Sequence, residues 1–175
     1  MSDNHQPAQQ RRQGSIAGIG IRILASLYDG IILLGIAILL VGLPITLSIE
    51  VLGATPPKWL QYLLFMSVAY AYFVGFWVKG GATTGMRPWK LMVAMNGTGD
   101  PLTWTVASVR FAIMMTTWLT LAMTLWYIRS NDTGHFLFFI AATIPAVSLI
   151  VMLLSKERAA LQDIISGSGM FRVSS

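Results

Sequence analysis

Four charged side chains in this sequence stand where charge is costly. Arg22 and Asp29 sit in the stretch Arg22-Ile-Leu-Ala-Ser-Leu-Tyr-Asp29, after which no charge occurs from Gly30 to Ile49. Seven residues at 3.6 per turn return to roughly the same helix face, about 10 Å further along. An ionisable group at membrane depth costs about 2.5–3.5 kcal/mol on insertion scales, so it is rarely left facing lipid. Arg110 stands seven residues into a later apolar segment that begins after Thr103, a depth comparable with that of Asp29. The spacing predicts two pairs: Asp29 with Arg110 inside the bundle, and Arg22, nearer the surface, with Asp163. The chemistry open to such a set is proton or cation coupling at Asp29. Burial works against its charge, Arg110 works for it, and a moving helix could switch between them. The alternative is a lock: a buried pair stabilises little by itself, but removing one partner strands the other at a cost of about 3–5 kcal/mol.

Other chemistries are excluded by what the sequence lacks. There is no cysteine, so disulfides and thiol chemistry are absent. His5 and His135 have no ligand partner at motif spacing and read as ordinary surface residues, which leaves no metal site. The glycines from Gly80 to Gly85 are spaced like a phosphate-cradling loop, but Met86-Arg87 stand where Lys and Ser or Thr are required. No Ser, His and Asp arrangement and no paired carboxylates occur, so neither an enzyme nor a cofactor is expected. Thr116, Thr117, Thr120 and Thr124 form a stripe that suits helix packing better than a pore. The aromatic residues Trp59, Tyr62, Tyr70, Tyr72, Phe76 and Trp77 fit an interfacial belt, with a stacking site as the weaker reading.

The elements that position these residues are membrane helices. Of the 175 residues 55% are apolar and 11% charged, with a mean hydropathy of +0.66, which is the make-up of an integral membrane protein. Uncharged windows predict an all-α, four-helix transmembrane bundle with spans at about residues 23–49, 59–78, 104–128 and 136–155. The first window is too long and too interrupted by charge for a cleaved leader. Residues 1–15, rich in Gln, Asn, Ser and Pro, read as a disordered polar tail in front of a transmembrane domain at 16–175. Residues 79–103 and 156–173 read as interfacial segments. In the second, Leu161, Ile164 and Ile165 would lie along the membrane, and the polar side would carry Asp163. Arg11, Arg12, Arg22, Lys79, Arg87, Lys90, Arg110, Lys156, Arg158 and Arg172 fall on one side, against Lys58 and Arg129 on the other. That bias places both termini in the cytoplasm. Contact with anionic headgroups then explains the net charge of +5 without nucleic acid. The partners expected are the bilayer and, because four helices enclose little volume, a second copy or a partner membrane subunit.

Three sets of residues carry a resemblance: the trio Arg22, Asp29 and Asp163; the loop Thr84-Gly85-Met86 with Lys90-Leu91 and Val93; and Gly99-Asp100-Pro101-Leu102-Thr103 leading to Ala107 and Arg110. With the closing Arg158-Ala159-Ala160-Leu161-Gln162-Asp163, the sequence resembles the RDD family of small bacterial membrane proteins over about residues 21–173. Pro88 and Gln162 depart from the family's usual pattern without touching the trio. The resemblance implies a bacterial inner-membrane location and a role in transport of unidentified ligands, with sodium/proton exchange linked to some similar proteins. It brings no agreed set of binding residues. A membrane scaffold or assembly factor, whose charges only fix helix packing, is the competing reading.

Overall fold

A computed structural model describes residues 15–130, 136–155 and 159–172. The polar tail up to residue 14, His5, His135 and the stretch 156–158 lie outside the described residues.

Four helical spans cross-connect at alternating ends. The first is long, running Ile19–Leu52, and is built of α1 (Ile19–Ala37), one π-helical turn at Ile38–Gly42, and α2 (Leu43–Leu52). Pro44 gives the physical reason for the π turn. Its ring crowds the carbonyl four residues back, at Leu40, and it offers no N–H, so the ladder is re-spaced just before it. The second span, α3, is Lys58–Gly80; the third, α4, is Trp104–Arg129, with the Thr103 hydroxyl accepting from the Val106 N–H at its N-terminus; the fourth, α5, is Phe136–Leu154. All four are long and apolar enough to cross a bilayer. Their outward faces carry large apolar side chains such as Ile31, Leu39, Trp126 and Leu153, which is the arrangement lipid requires and water forbids.

The segments expected to lie at the interface pair with one another. Strands β1 (Ser15–Ile16), β2 (Leu91–Met95) and β3 (Ser168–Arg172) form an antiparallel sheet in the order β1-β3-β2. Its register sets Met92 opposite Phe171 and Val93 opposite Met170. A 3-10 turn at Arg87–Trp89 precedes β2, and a short helix, α6 (Leu161–Ser166), precedes β3. Leu91 and Val93 are buried with Ala17, Trp77, Leu102 and Ala107, so the sheet is seated on the same end of the bundle where α1 and α4 begin and α3 ends.

Helix α6 turns the polar side that carries Asp163 into the bundle. Asp163 is fully buried, whereas Ile164 and Ile165 are 53% and 56% exposed. A polar-out helix is stable against water, but here the inside offers two guanidiniums and the outside is apolar, so the polar face turns in.

Candidate functional site

Asp163 is the hub of a buried charge cluster. Its Oδ2 accepts from Arg22 Nη1 at 2.6 Å and from the Ala160 N–H at 3.0 Å. The second bond is half of a capping box: Asp163, at the third position of α6, reaches back to the residue before the helix, and Ala160 has no side-chain oxygen to return it. Its Oδ1 lies 2.6 Å from Arg110 Nη1, close enough for an ion pair but without hydrogen-bond alignment. Arg110 instead aims that nitrogen at Ser168 Oγ, also 2.6 Å away, and its guanidinium lies 5.2 Å from the centre of the Trp77 ring, a cation–π distance. Arg22 makes a further bond from Nη2 to the Met170 carbonyl at 3.2 Å. Burial alone would push the Asp163 carboxyl up. The charges of Arg110 and Arg22, with the Ala160 N–H, outweigh burial and hold it below the usual carboxylate range. The cluster therefore ties α1, α4, α6 and β3 together with charge-assisted bonds.

Asp29 forms a separate site. It is 3% exposed and accepts three hydrogen bonds: from the Tyr72 hydroxyl at 2.6 Å, the Thr83 hydroxyl at 2.5 Å and the Gly85 N–H at 2.8 Å. All three donors are neutral. Gly85 is required by closeness of approach: a Cβ there would meet Asp29 Cγ at 2.6 Å, the Ala25 carbonyl at 2.7 Å and Asp29 N at 2.7 Å. The turn from Thr83 to Gly85 is in this way pressed flat against α1.

The expected pair of Arg22 with Asp163 is present, while the expected pair of Asp29 with Arg110 is not. Arg22 and Arg110 both pair with Asp163. Depth was a fair guide, but rotation about the helix axis decides partners. α3 packs against both α1 and α4, so Asp29 faces α3 and the loop after it while Arg110 faces Trp77, α6 and β3. Tyr72, Thr83, Trp77, Ser168 and the Met170 carbonyl were not singled out as partners from sequence. Tyr72 and Trp77 carried a weak signal as aromatic residues with a polar edge inside a span, which need a hydrogen-bond or charge partner when buried. Thr83 and Ser168 carried none.

The threonine stripe of α4 is satisfied locally. Thr116, Thr117, Thr120 and Thr124 each donate to a carbonyl four residues back, at Ala112, Ile113, Thr116 and Thr120. Tyr70, by contrast, links two spans: its hydroxyl lies 2.7 Å from Ser108 Oγ of α4, and its ring meets Phe111 edge-on.

A cavity of about 160 Å³ opens beside the charge cluster, lined by Arg22, Asp163, Ser168, Met170, Asn96 and Gly97 among others. A family model matches the chain over residues 16–167, and it is that of the RDD family. The match includes Arg22, Asp29, Gly85, Arg110 and Asp163 and stops just short of Ser168 and the rest of β3. No curated protein and no solved structure matches the chain.

Proposed function

This chain belongs to the RDD family, and we propose that it serves as a component of a transport or cation/proton exchange system in the bacterial inner membrane, with Asp29 as its proton-accepting group. The observation that carries the reading is the cradle around Asp29. Two of its three donors are hydroxyls, and a hydroxyl can accept as well as donate. A charged Asp29 is held as an acceptor, and a protonated Asp29 would find an acceptor in Tyr72 or Thr83, so neither state strands a buried polar group. Asp163, fixed between two guanidiniums, has no such freedom. The reading assigns Arg110 to the structural cluster and not to the coupling site, and it includes no enzymatic step. The excess of Lys and Arg at the charged end puts that end in the cytoplasm. Four spans enclose little volume, so a route for solute would be completed by further copies or by a partner subunit.

One observation favours a scaffold or assembly role instead: Arg22, Asp163 and Arg110 are closed on one another and hold the sheet to the bundle, which is all a membrane platform needs. Proton movement driven by Na⁺, K⁺ or Li⁺ gradients in liposomes separates the two. The native chain is expected to move protons, and Asp29→Asn, folded to the same extent, is expected to lose at least about tenfold of the rate, as loss of a proton-transfer group does. Movement that survives the substitution, or none in the native chain, would transfer the argument to the scaffold.

A further inference from the structure

The buried cluster carries an excess of positive charge and stands next to open space. Among the described residues, two guanidiniums share one carboxylate, and both Asp163 oxygens are already spent on them. Arg22 is 7% exposed and uses two of the five N–H groups a guanidinium has; its Nε has no hydrogen-bond partner among the described residues. A buried cation short of partners is costly, and an anion answers both its charge and its donors. Arg22 lines the 160 Å³ cavity together with Asp163, whose single charge is matched against two guanidiniums, and the remaining wall supplies Ser168, the Asn96 amide, the backbone around Gly97 and Gly169, and the apolar edges of Met170 and Phe171. The cavity lies at the end of the bundle where the spans meet the sheet, which is headgroup depth.

We propose that this cavity binds a phosphate-bearing anion, with Arg22 as its charged contact and Asn96 and Gly97 as its outer wall. The inference does not depend on the coupling role of Asp29. The phosphate can come from an anionic phospholipid headgroup or from solution, and the two sources are separable.

Gly97 offers a probe that leaves the charge cluster intact. It adopts φ +83°, and a Cβ added there would meet nothing within 4 Å. Asn and Asp are the side chains that best tolerate this left-handed conformation, so Gly97→Asn and Gly97→Asp share the same backbone strain and differ by one negative charge in the cavity wall. The full chain would be held in neutral phosphatidylcholine nanodiscs and its thermal unfolding followed while inorganic phosphate is titrated against chloride of equal ionic strength. A parallel series would replace part of the lipid with phosphatidylglycerol. Binding should raise the unfolding temperature of the native chain, and Gly97→Asp should bind about tenfold more weakly than Gly97→Asn, the pair being compared with each other. A response to inorganic phosphate identifies a soluble ligand, and a response confined to phosphatidylglycerol identifies a lipid headgroup. If Gly97→Asp does not fold, Asn96→Asp, isosteric with the native residue, places the same charge in the same wall. No response of the native chain to either probe, or an equal response in the aspartate variants, overturns the proposal.

Discussion

Replacing Asp163 with asparagine keeps the shape of the side chain and leaves Arg22 and Arg110 buried with no negative partner. The expected loss is about 3–5 kcal/mol, the range for stranding one side of a buried ion pair. The dependence on pH distinguishes this from simple loss of packing. The carboxyl of Asp163 is held below its ordinary range in the folded chain, so the folded state binds fewer protons than the unfolded one. Its contribution is fully present above the unfolded carboxyl value of about 3.9 and is lost as pH falls through the lower folded value. Thermal unfolding followed from pH 6 downward should show the native chain losing stability below about pH 4, a component that Asp163→Asn should lack. At this scale the sequence was partly legible. The cost of charge in a membrane singled out Arg22, Asp29, Arg110 and Asp163. It paired Arg22 with Asp163 but gave Arg110 to Asp29, because equal depth on two helices leaves the rotation of each about its axis undetermined. Asp163 has both arginines, and Asp29 has a tyrosine and a threonine.

Between elements, the turn at Thr83 to Gly85 approaches the backbone of α1 closely enough to make a specific prediction. In Gly85→Ala the new methyl group would meet two backbone atoms, the Ala25 carbonyl and Asp29 N, as well as the Asp29 side chain. Backbone cannot move aside as a flexible side chain can, so the turn must lift from α1 and lose the hydrogen bond from the Gly85 N–H to Asp29. A loss of about 1–3 kcal/mol is expected, read as a lower unfolding temperature in detergent. Removing the side chain as well, in Gly85→Ala with Asp29→Ala, should not restore stability, because the backbone clashes remain. Full recovery in the double variant would mean that the contact is one of side chains only. The helices themselves were readable from their uncharged windows, but the sheet was not. Leu91-Met-Val-Ala-Met95 has no polar alternation to mark a strand, and its partner, Ser168–Arg172, lies more than seventy residues away. The polar-in orientation of α6 was hidden for a related reason: its hydrophobic spacing is the same whether water or lipid lies outside, and only the position of the two arginines decides which face turns inward.

Over the whole molecule, charge divides by end. Arg22, Lys79, Arg87, Lys90, Arg110 and Arg172 gather at the end that carries the sheet, whereas Glu50, Lys58 and Arg129 mark the other. The charged end is also where segments distant in sequence are joined: β1 before the first span, β2 between the second and third, and α6 and β3 after the fourth are assembled into one layer. A layer drawn from three separate segments can form only if all of them lie on the same side of the membrane. An even number of spans between them satisfies that condition: two between β1 and β2, and two between β2 and β3. The excess of Lys and Arg at that end is the ground on which we propose that it faces the cytoplasm. The absence of cysteine from the sequence makes this directly measurable, since any thiol is an introduced one. In intact bacterial cells, a membrane-impermeant maleimide should label Lys58→Cys, at the start of α3 and beyond the far end of the first span. Lys79→Cys, at the end of α3 beside the sheet, should react only after the membrane is permeabilised. Reversed labelling would move the sheet, the charge cluster and its cavity to the outer face and overturn the proposed orientation.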